Sequence, residues 1–328
     1  MKKIRLGLIG LGYIGKVHLH SCMNIESTEV VAVADVSKKA LKMSQKVGIK
    51  KTYSDYHSLL KDNTIDAVII SLPTHLHLTC AKEAAEAGKH ILLEKPIGKN
   101  VKEGREILSA ANKNNIQLMI GYSYRFAPVF QCLKSKIEGG ELGEVQMGYA
   151  TNVASGPFFH RTENSAPRPV PDWWFQRELT GGGALMDLGC HMINLIRWYM
   201  GEISDIKSYL GFRFNLDLED QATCIVKFQS GRSAIVNVGW FSQQSQLKVE
   251  LFGTVAHSST AHSAPSKVKT AFQLMLRRPP PFFLPHRREI LHFVQCITEN
   301  KRPLTSGEDA IKDLEAISLA YKNEIILQ

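Results

Sequence analysis

No apolar run in this chain of 328 residues approaches the ~18 residues that a membrane-spanning helix needs, which excludes a transmembrane protein. Cysteine is sparse. The six residues (Cys22, Cys80, Cys132, Cys190, Cys224 and Cys296) lie far apart and make no C-x-x-C pair. That usage argues for reduced thiols in a cytoplasmic compartment. There is no internal repeat and no low-complexity tract, and 44% hydrophobic with 22% charged residues excludes a disordered chain. The start, MKKIRLGLIGLG, is basic and then apolar but lacks a small-residue cleavage site, so it reads as a first strand rather than a signal peptide.

Acidic excess is missing as well. Forty Lys and Arg stand against 31 Asp and Glu, a net charge of +9. Residues 1–123 hold 18 basic and 11 acidic side chains, whereas 124–328 hold 22 and 20, so the excess sits mostly in the first part. Such a field draws an anionic ligand such as a dinucleotide. The lysines are scattered singly rather than clustered on one face, which argues against a nucleic-acid partner.

Short runs rich in Ile, Val and Leu recur over 4–10, 29–35, 66–72, 90–94 and 116–121, each followed by a helical period such as Ala81, Ala84, Ala85 and Gly88. Continuous apolar strands alternating with amphipathic helices predict a parallel sheet covered on both faces. Asn100 with Glu103 predicts a capping box that opens one of these helices. After residue 123 the rhythm changes. Four β-like runs, at about 203–214, 220–228, 232–240 and 246–253, follow one another without helices, which predicts an antiparallel sheet. The fold class is therefore α/β: a doubly wound Rossmann domain over 1–123, then an α+β domain over 124–328 with an open, mainly antiparallel sheet. A final helix, about 306–326 and opening at Ser306-x-x-Asp309, is expected to pack back on the first domain. Two irregular stretches read as long loops: 152–183, of a length that is usually functional or disordered, and 263–286.

Gly10-Leu11-Gly12-Tyr13-Ile14-Gly15 fits G-x-G-x-x-G directly after a strand and at a helix start. Its glycines permit a tight turn, close approach of a pyrophosphate and close packing of helix on strand. The helix N-terminus then offers its N–H groups to the phosphates. Asp35, 20 residues beyond Gly15, ends the second strand and is placed to accept hydrogen bonds from the adenosine ribose. A 2′-phosphate would meet its charge, so NAD is expected over NADP, with Lys38 and Lys39 near enough to soften that choice.

Glu94-Lys95-Pro96 follows the fifth strand, on the carboxyl edge where open sheets bind ligands. A lysine there can orient a substrate hydroxyl and stabilise a developing alkoxide. Asp187-Leu188-Gly189-Cys190-His191 follows the triplet Gly181-Gly182-Gly183. On a helix Asp187 and His191 fall at i and i+4, on one face, where a histidine can take a hydroxyl proton and the carboxylate can orient it or bind substrate.

Taken together, these segments resemble the Gfo/Idh/MocA oxidoreductases. The resemblance rests on G-x-G-x-x-G, Pro73-Thr74-His75-Leu76-His77, Ala87-Gly88-Lys89-His90, Glu94-Lys95-Pro96 and the run Gly182 to His191. It implies a catalytic lysine at Lys95 and a substrate-site pair, Asp187 and His191. It also implies that Leu72, Pro73, Thr74, His77, Glu94 and Lys95 line the cofactor. Gly121-Tyr122-x-x-Arg125 resembles the family's segment at the domain junction, which implies substrate contacts for Tyr122 and Arg125. Trp173-Trp174 matches an aromatic stretch ahead of the glycines, and Trp174 is expected to line the sugar pocket. A homodimer or homotetramer through the second sheet is implied too.

The reaction this implies is oxidation of a secondary or anomeric hydroxyl of a sugar or cyclic polyol, with nicotinamide in the cleft between domains. Two other readings of the same residues stay open. Some family members cleave glycosides by transient C3 oxidation, elimination and re-reduction with tightly held NAD. Others bind dinucleotide as non-catalytic sensors, a reading that the joint presence of Lys95, Asp187 and His191 argues against. His75-x-His77-x-x-Cys80 and His18-x-His20-x-Cys22 have the residue types of a zinc site, but within helices i and i+2 point to different sides, so no metal is expected. Leu276-Arg277-Arg278-Pro279-Pro280-Pro281-Phe282-Phe283 with Arg287-Arg288 reads as an arm that holds a phosphorylated or nucleotide-linked substrate, packs against a partner subunit, or covers the protein's own core.

Overall fold

In the computed structural model, residues 3–23, 25–158, 170–262 and 283–326 are described. Residues 276–282 of the basic–aromatic run lie outside them. The first sheet is built from β1 (Ile4–Ile9), β2 (Thr28–Ala34), β3 (Lys51–Tyr53), β4 (Ala67–Ile70), β5 (His90–Glu94) and β6 (Leu118–Gly121), all parallel, in the order β3-β2-β1-β4-β5-β6. Leu6, Leu8 and Ile9 of β1, Val68 to Ile70 of β4 and Ile91 to Leu93 of β5 are at 0–1% exposure, as a sheet covered on both faces requires. The order reverses between β1 and β4, the switch point beside which open α/β sheets bind ligands. The helices between are α1 (Tyr13–Cys22), α2 (Lys38–Lys46), α3 (Tyr56–Leu60), α4 (His77–Glu86) and α5 (Val101–Lys113).

The second sheet holds β7 (Val145–Val153), β8 (Ile203–Gly211), β9 (Gln221–Phe228), β10 (Ser233–Gly239), β11 (Gln246–Gly253), β12 (His257–His262) and β13 (Glu324–Ile326). Their order is β12-β11-β7-β10-β9-β8-β13, antiparallel except for β7 with β10 and β8 with β13. Alternation of burial along β9 and β10 gives one covered and one open face. The helices of this part are α6 (Pro128–Glu138), α7 (Arg177–Thr180) and α8 (Cys190–Met200). Two more follow, α9 (Phe283–Glu299) and α10 (Gly307–Lys322), the latter opened by Ser306, whose Oγ accepts from the Asp309 N–H.

The chain divides into two compact units, but not at a single boundary near 123. The first takes residues 3–98, 102–126 and 283–311; the second takes 99–101, 127–262 and 312–326. α9 returns because its apolar stripe completes the first unit's core: Ile290, Phe293 and Val294 cluster with Leu6, Leu8, Leu19, Val33, Ile69 and Phe126. Each such side chain contributes about 1.5–3 kcal/mol by leaving water. Residues 283–286, expected in a loop, are the first turn of α9.

Candidate active site

Each glycine of the fingerprint has its own reason. Gly10 takes φ of 88°, and a Cβ there would stand 2.5 Å from the Ser71 carbonyl oxygen. A Cβ on Gly15 would collide with the Gly10 carbonyl oxygen, so helix and turn close only without one. Gly12 differs, with nothing within 4 Å of its Cβ position. It is also the N-cap of α1, and no side chain caps that helix. Exposed Tyr13 and half-buried Ile14 open its first turn. An uncapped helix start beside open space is a cradle for a pyrophosphate, so the chain's own geometry fits NAD.

Asp35 follows β2, and its carboxylate accepts hydrogen bonds from the backbone N–H groups of Leu11 (2.6 Å) and Ser37 (2.7 Å). Each oxygen keeps a further lone pair with which a ribose hydroxyl can bond. Lys16, Lys38, Lys39, Lys42 and Lys46 share with it a groove of about 880 Å³.

Leu72, Pro73 and Thr74 follow β4 and are half-buried. His77 begins α4 at 1% exposure, with Nε2 2.9 Å from the Leu72 carbonyl and Nδ1 2.9 Å from the Pro96 carbonyl. Burial pushes its pKa down, and the two carbonyls oppose that. The ring therefore ties the loop after β4 to the loop after β5. Lys95 follows β5, half-buried, with a cis peptide bond to Pro96. Glu94 points its carboxylate inward: Oε1 lies 2.6 Å from His18 Nε2, and Oε2 accepts the Lys95 N–H at 3.2 Å. Burial opposes its charge, but the His18 hydrogen bond and the neighbouring His18, His286 and Lys95 outweigh it and hold the carboxyl below its ordinary range.

Tyr122 and Arg125 are 1% and 4% exposed, inside the first unit. The Arg125 guanidinium pairs with Asp309 at 2.7 Å and donates to the Leu304 carbonyl, so its geometry is that of a brace on the start of α10. Lys89 is likewise structural, capping the carbonyls of Asp62 and Ile65.

In the second unit, Trp173 and Trp174 form a half-buried tilted pair with ring centroids 5.4 Å apart. Residues 185–189 wind as a π-turn rather than the α-helix that the i, i+4 spacing predicts; α8 begins at Cys190, with His191 at 8% exposure in its first turn. π-turns are rare and frequent at functional sites. The Asp187 N–H donates to the Gly183 carbonyl at 2.9 Å, and Trp240 Nε1 donates to Asp187 Oδ2 at 3.2 Å. One and two turns beyond His191, Asn194 and Arg197 bond Asp313 of α10 at 2.6 and 2.5 Å.

Four residues that shape this unit carry no local signal. Glu219, at 0% exposure, accepts from the N–H groups of Gly183 (2.9 Å) and Leu185 (3.1 Å) and from Tyr321 Oη (2.7 Å). Trp240 and Asp313 complete the set. The pair Glu219-Asp220 sits in the mostly polar run Asn215 to Gln221, which gives no sign of a buried charge. Among the described residues, no group of three or more His, Cys, Asp or Glu could hold a metal ion, no helix is long and apolar enough to cross a membrane, and none of the six cysteines forms a disulfide.

The GFO/IDH/MocA oxidoreductase family profile, described as an NAD-binding Rossmann fold, matches residues 4–122, and the profile of the family's C-terminal domain matches 130–257. An uncharacterised oxidoreductase of Bacillus subtilis, YrbE, is 31% identical over 95% of this chain and 91% of its own. A myo-inositol 2-dehydrogenase of Thermotoga maritima is 26% identical over 93% and 92%. Among solved structures, a scyllo-inositol dehydrogenase from Lactobacillus casei, with bound NAD(H) and scyllo-inositol, superposes with a TM-score of 0.80 at 20% identity, over 98% of this chain and 97% of that one.

Proposed function

Because this chain belongs to the Gfo/Idh/MocA oxidoreductases, an NAD-binding family, we propose that it oxidises a secondary or anomeric hydroxyl of a sugar or cyclic polyol. The observation that carries the reading is the row of strand ends in the first unit. The open Gly12 cradle, Asp35 and Lys95 all follow the carboxyl ends of β1, β2 and β5 in one parallel sheet. When bound there, NAD supplies the acceptor for a hydride.

The chain's own residues handle the oxygen and its proton. Lys95 hydrogen-bonds the substrate hydroxyl and stabilises negative charge as the proton leaves. His191 takes that proton, and Asp187, held by the Trp240 indole, orients the substrate or the imidazole. Trp174 offers an apolar ring face to the sugar. Tyr122 and Arg125, at the segment after β6, stay in the proposed substrate set, with Arg125 also bracing the start of α10. Two or four copies join through the open face of the second sheet, where Tyr149, Ile235 and Ile225 align across β7, β10 and β9 beside Met147. Reduced thiols in a cytoplasmic setting suit six cysteines without a disulfide.

The test is NADH formation, followed by absorbance, across inositols, free sugars, sugar phosphates and nucleotide sugars. The expected result is steady turnover that falls about 10²–10⁴-fold in Lys95→Ala, far more than its NAD affinity falls. A Lys95→Ala protein with wild-type turnover would sink the assignment. Silence across the panel from protein purified with bound cofactor would turn the reading to redox-assisted glycoside cleavage or to a sensor.

A further inference from the structure

We propose that the buried carboxylate of Glu219, with Tyr321 and Arg177, is the positioning group for the Asp187–His191 segment and sets the rate of turnover without touching the ligand. The inference rests on the reading that Asp187 and His191 act on the substrate.

The segment cannot hold itself. Gly181 takes φ of 84°, and a Cβ there would collide with the Lys99 carbonyl oxygen. Cβ atoms on Gly182 and Gly183 would collide with Tyr321 Oη and with the Glu219 carbonyl oxygen. The three residues are therefore bare backbone, Gly181 pressed against Lys99 and the next two against Tyr321 and Glu219, with no side chains to fix the entry angle. The π-turn that follows has no side-chain cap of its own, its N-cap being Ala184.

Glu219 supplies the missing cap from another element. Its Oε1 receives the N–H groups of Gly183 and Leu185, and its backbone carbonyl receives the N–H of Ala184 at 2.9 Å. Three consecutive donors thus end on one residue, and a negative charge at a helix start is favourable. Tyr321 Oη donates to the same Oε1, and Arg177 Nη2 reaches Oε2 at 3.4 Å while stacking its guanidinium on the Tyr321 ring at 5.2 Å. Burial, with the charge of Glu219 beside it, pushes the Tyr321 phenol well up, so it stays a donor. Each described group bonded to the carboxylate donates to it. Burial pushes the Glu219 carboxyl above its ordinary range, and the donors from Tyr321 and Leu185 with the charge of Arg177 offset only part of that rise. From Gly183 the chain of bonds runs on to the Asp187 N–H and ends at the Trp240 indole.

The test compares E219A, E219Q and Y321F in the full chain, with K95A and H191A alongside. It reads kcat, KM, NAD affinity, melting temperature and the ¹⁵N-indole signal of Trp240. E219A is expected to lose about 100-fold in kcat, the scale of a small misplacement of reacting groups, with NAD affinity unchanged. E219Q keeps an oxygen for the backbone donors but turns an amide toward Arg177, so it recovers part of that loss. Y321F deletes one donor and lowers kcat less, and in all three variants the indole signal moves. If E219A does not fold, Y321F and E219Q decide. Wild-type kcat in the folded variants, whatever their melting temperatures, overturns the proposal and leaves Glu219 a brace. If K95A and H191A also turn over normally, the functional reading itself has failed. Should the wild type turn over nothing in the panel, an unmoved Trp240 indole in E219Q overturns the positioning role.

Discussion

Glu289 of α9 is wholly buried, and neither carboxyl oxygen has a hydrogen-bond partner among the described residues. Nδ1 of His18 has none either. Burial, and then the charge of Glu94, push the Glu289 pKa well above the ordinary carboxylate range. The native state therefore keeps a proton that the unfolded chain releases above its own pKa. Stability contributed by this group is full below about pH 4.5 and is lost as pH rises toward the folded value, by at most about 1.4 kcal/mol per pH unit. Glu289→Gln cannot ionise, and whatever its amide costs is the same at every pH. Urea unfolding at pH 5 and pH 8 is expected to show the variant gaining on the wild type by about 1 kcal/mol or more between the two. An equal gap at both values would contradict a protonated Glu289. The same neighbourhood explains Gly121, whose Cβ would press on the Glu94 carboxyl at 3.2 Å.

Among the elements, α8 is buried by apolar side chains along most of its length and anchored by ions as well. Asp313 is fully buried and receives both Asn194 and Arg197, and Arg197 also bonds Glu202 at 3.0 Å. Asp313→Ala would leave a buried guanidinium half-served, and its expected cost is about 3–5 kcal/mol in chemical unfolding. Asp313→Asn keeps the shape and should cost less; equal costs would show that packing rather than charge fixes α8. Five of the six strands of the first sheet were legible because each is an apolar run bounded by turn residues, and β8 to β11 because they alternate. β3 and β13 are three residues each, too short to show a period. β7 interrupts its alternation with Gly148 and finds its parallel partner β10 some eighty residues away, a pairing no local pattern announces. The site follows the same rule. Gly10, Gly12, Gly15, Asp35 and Lys95 are legible from their places at strand ends. Glu219 and Tyr321 act across 36 and 102 residues of sequence, so only the fold reveals them.

At the scale of the whole molecule, the open face of the second sheet carries a row that would not stay in water by choice. Ile225 is 50% and Met147 38% exposed, with Tyr149 and Ile235 between them on neighbouring strands. Assembly through this face predicts that Ile225→Lys lowers the mass seen in sedimentation equilibrium to that of a smaller assembly or a single chain. A wild type that sediments as one chain would end that reading. The return of α9 to the first unit has a further consequence, for inheritance. A gene crossover with a relative just after residue 126 would look like a clean exchange of the second unit, yet it would hand Ile290, Phe293 and Glu289 to the other parent. The wall behind Glu94 and His18 would then come from a different lineage than the strands it covers. New substrate specificities in such a protein are therefore easier to acquire by change within loops than by shuffling halves.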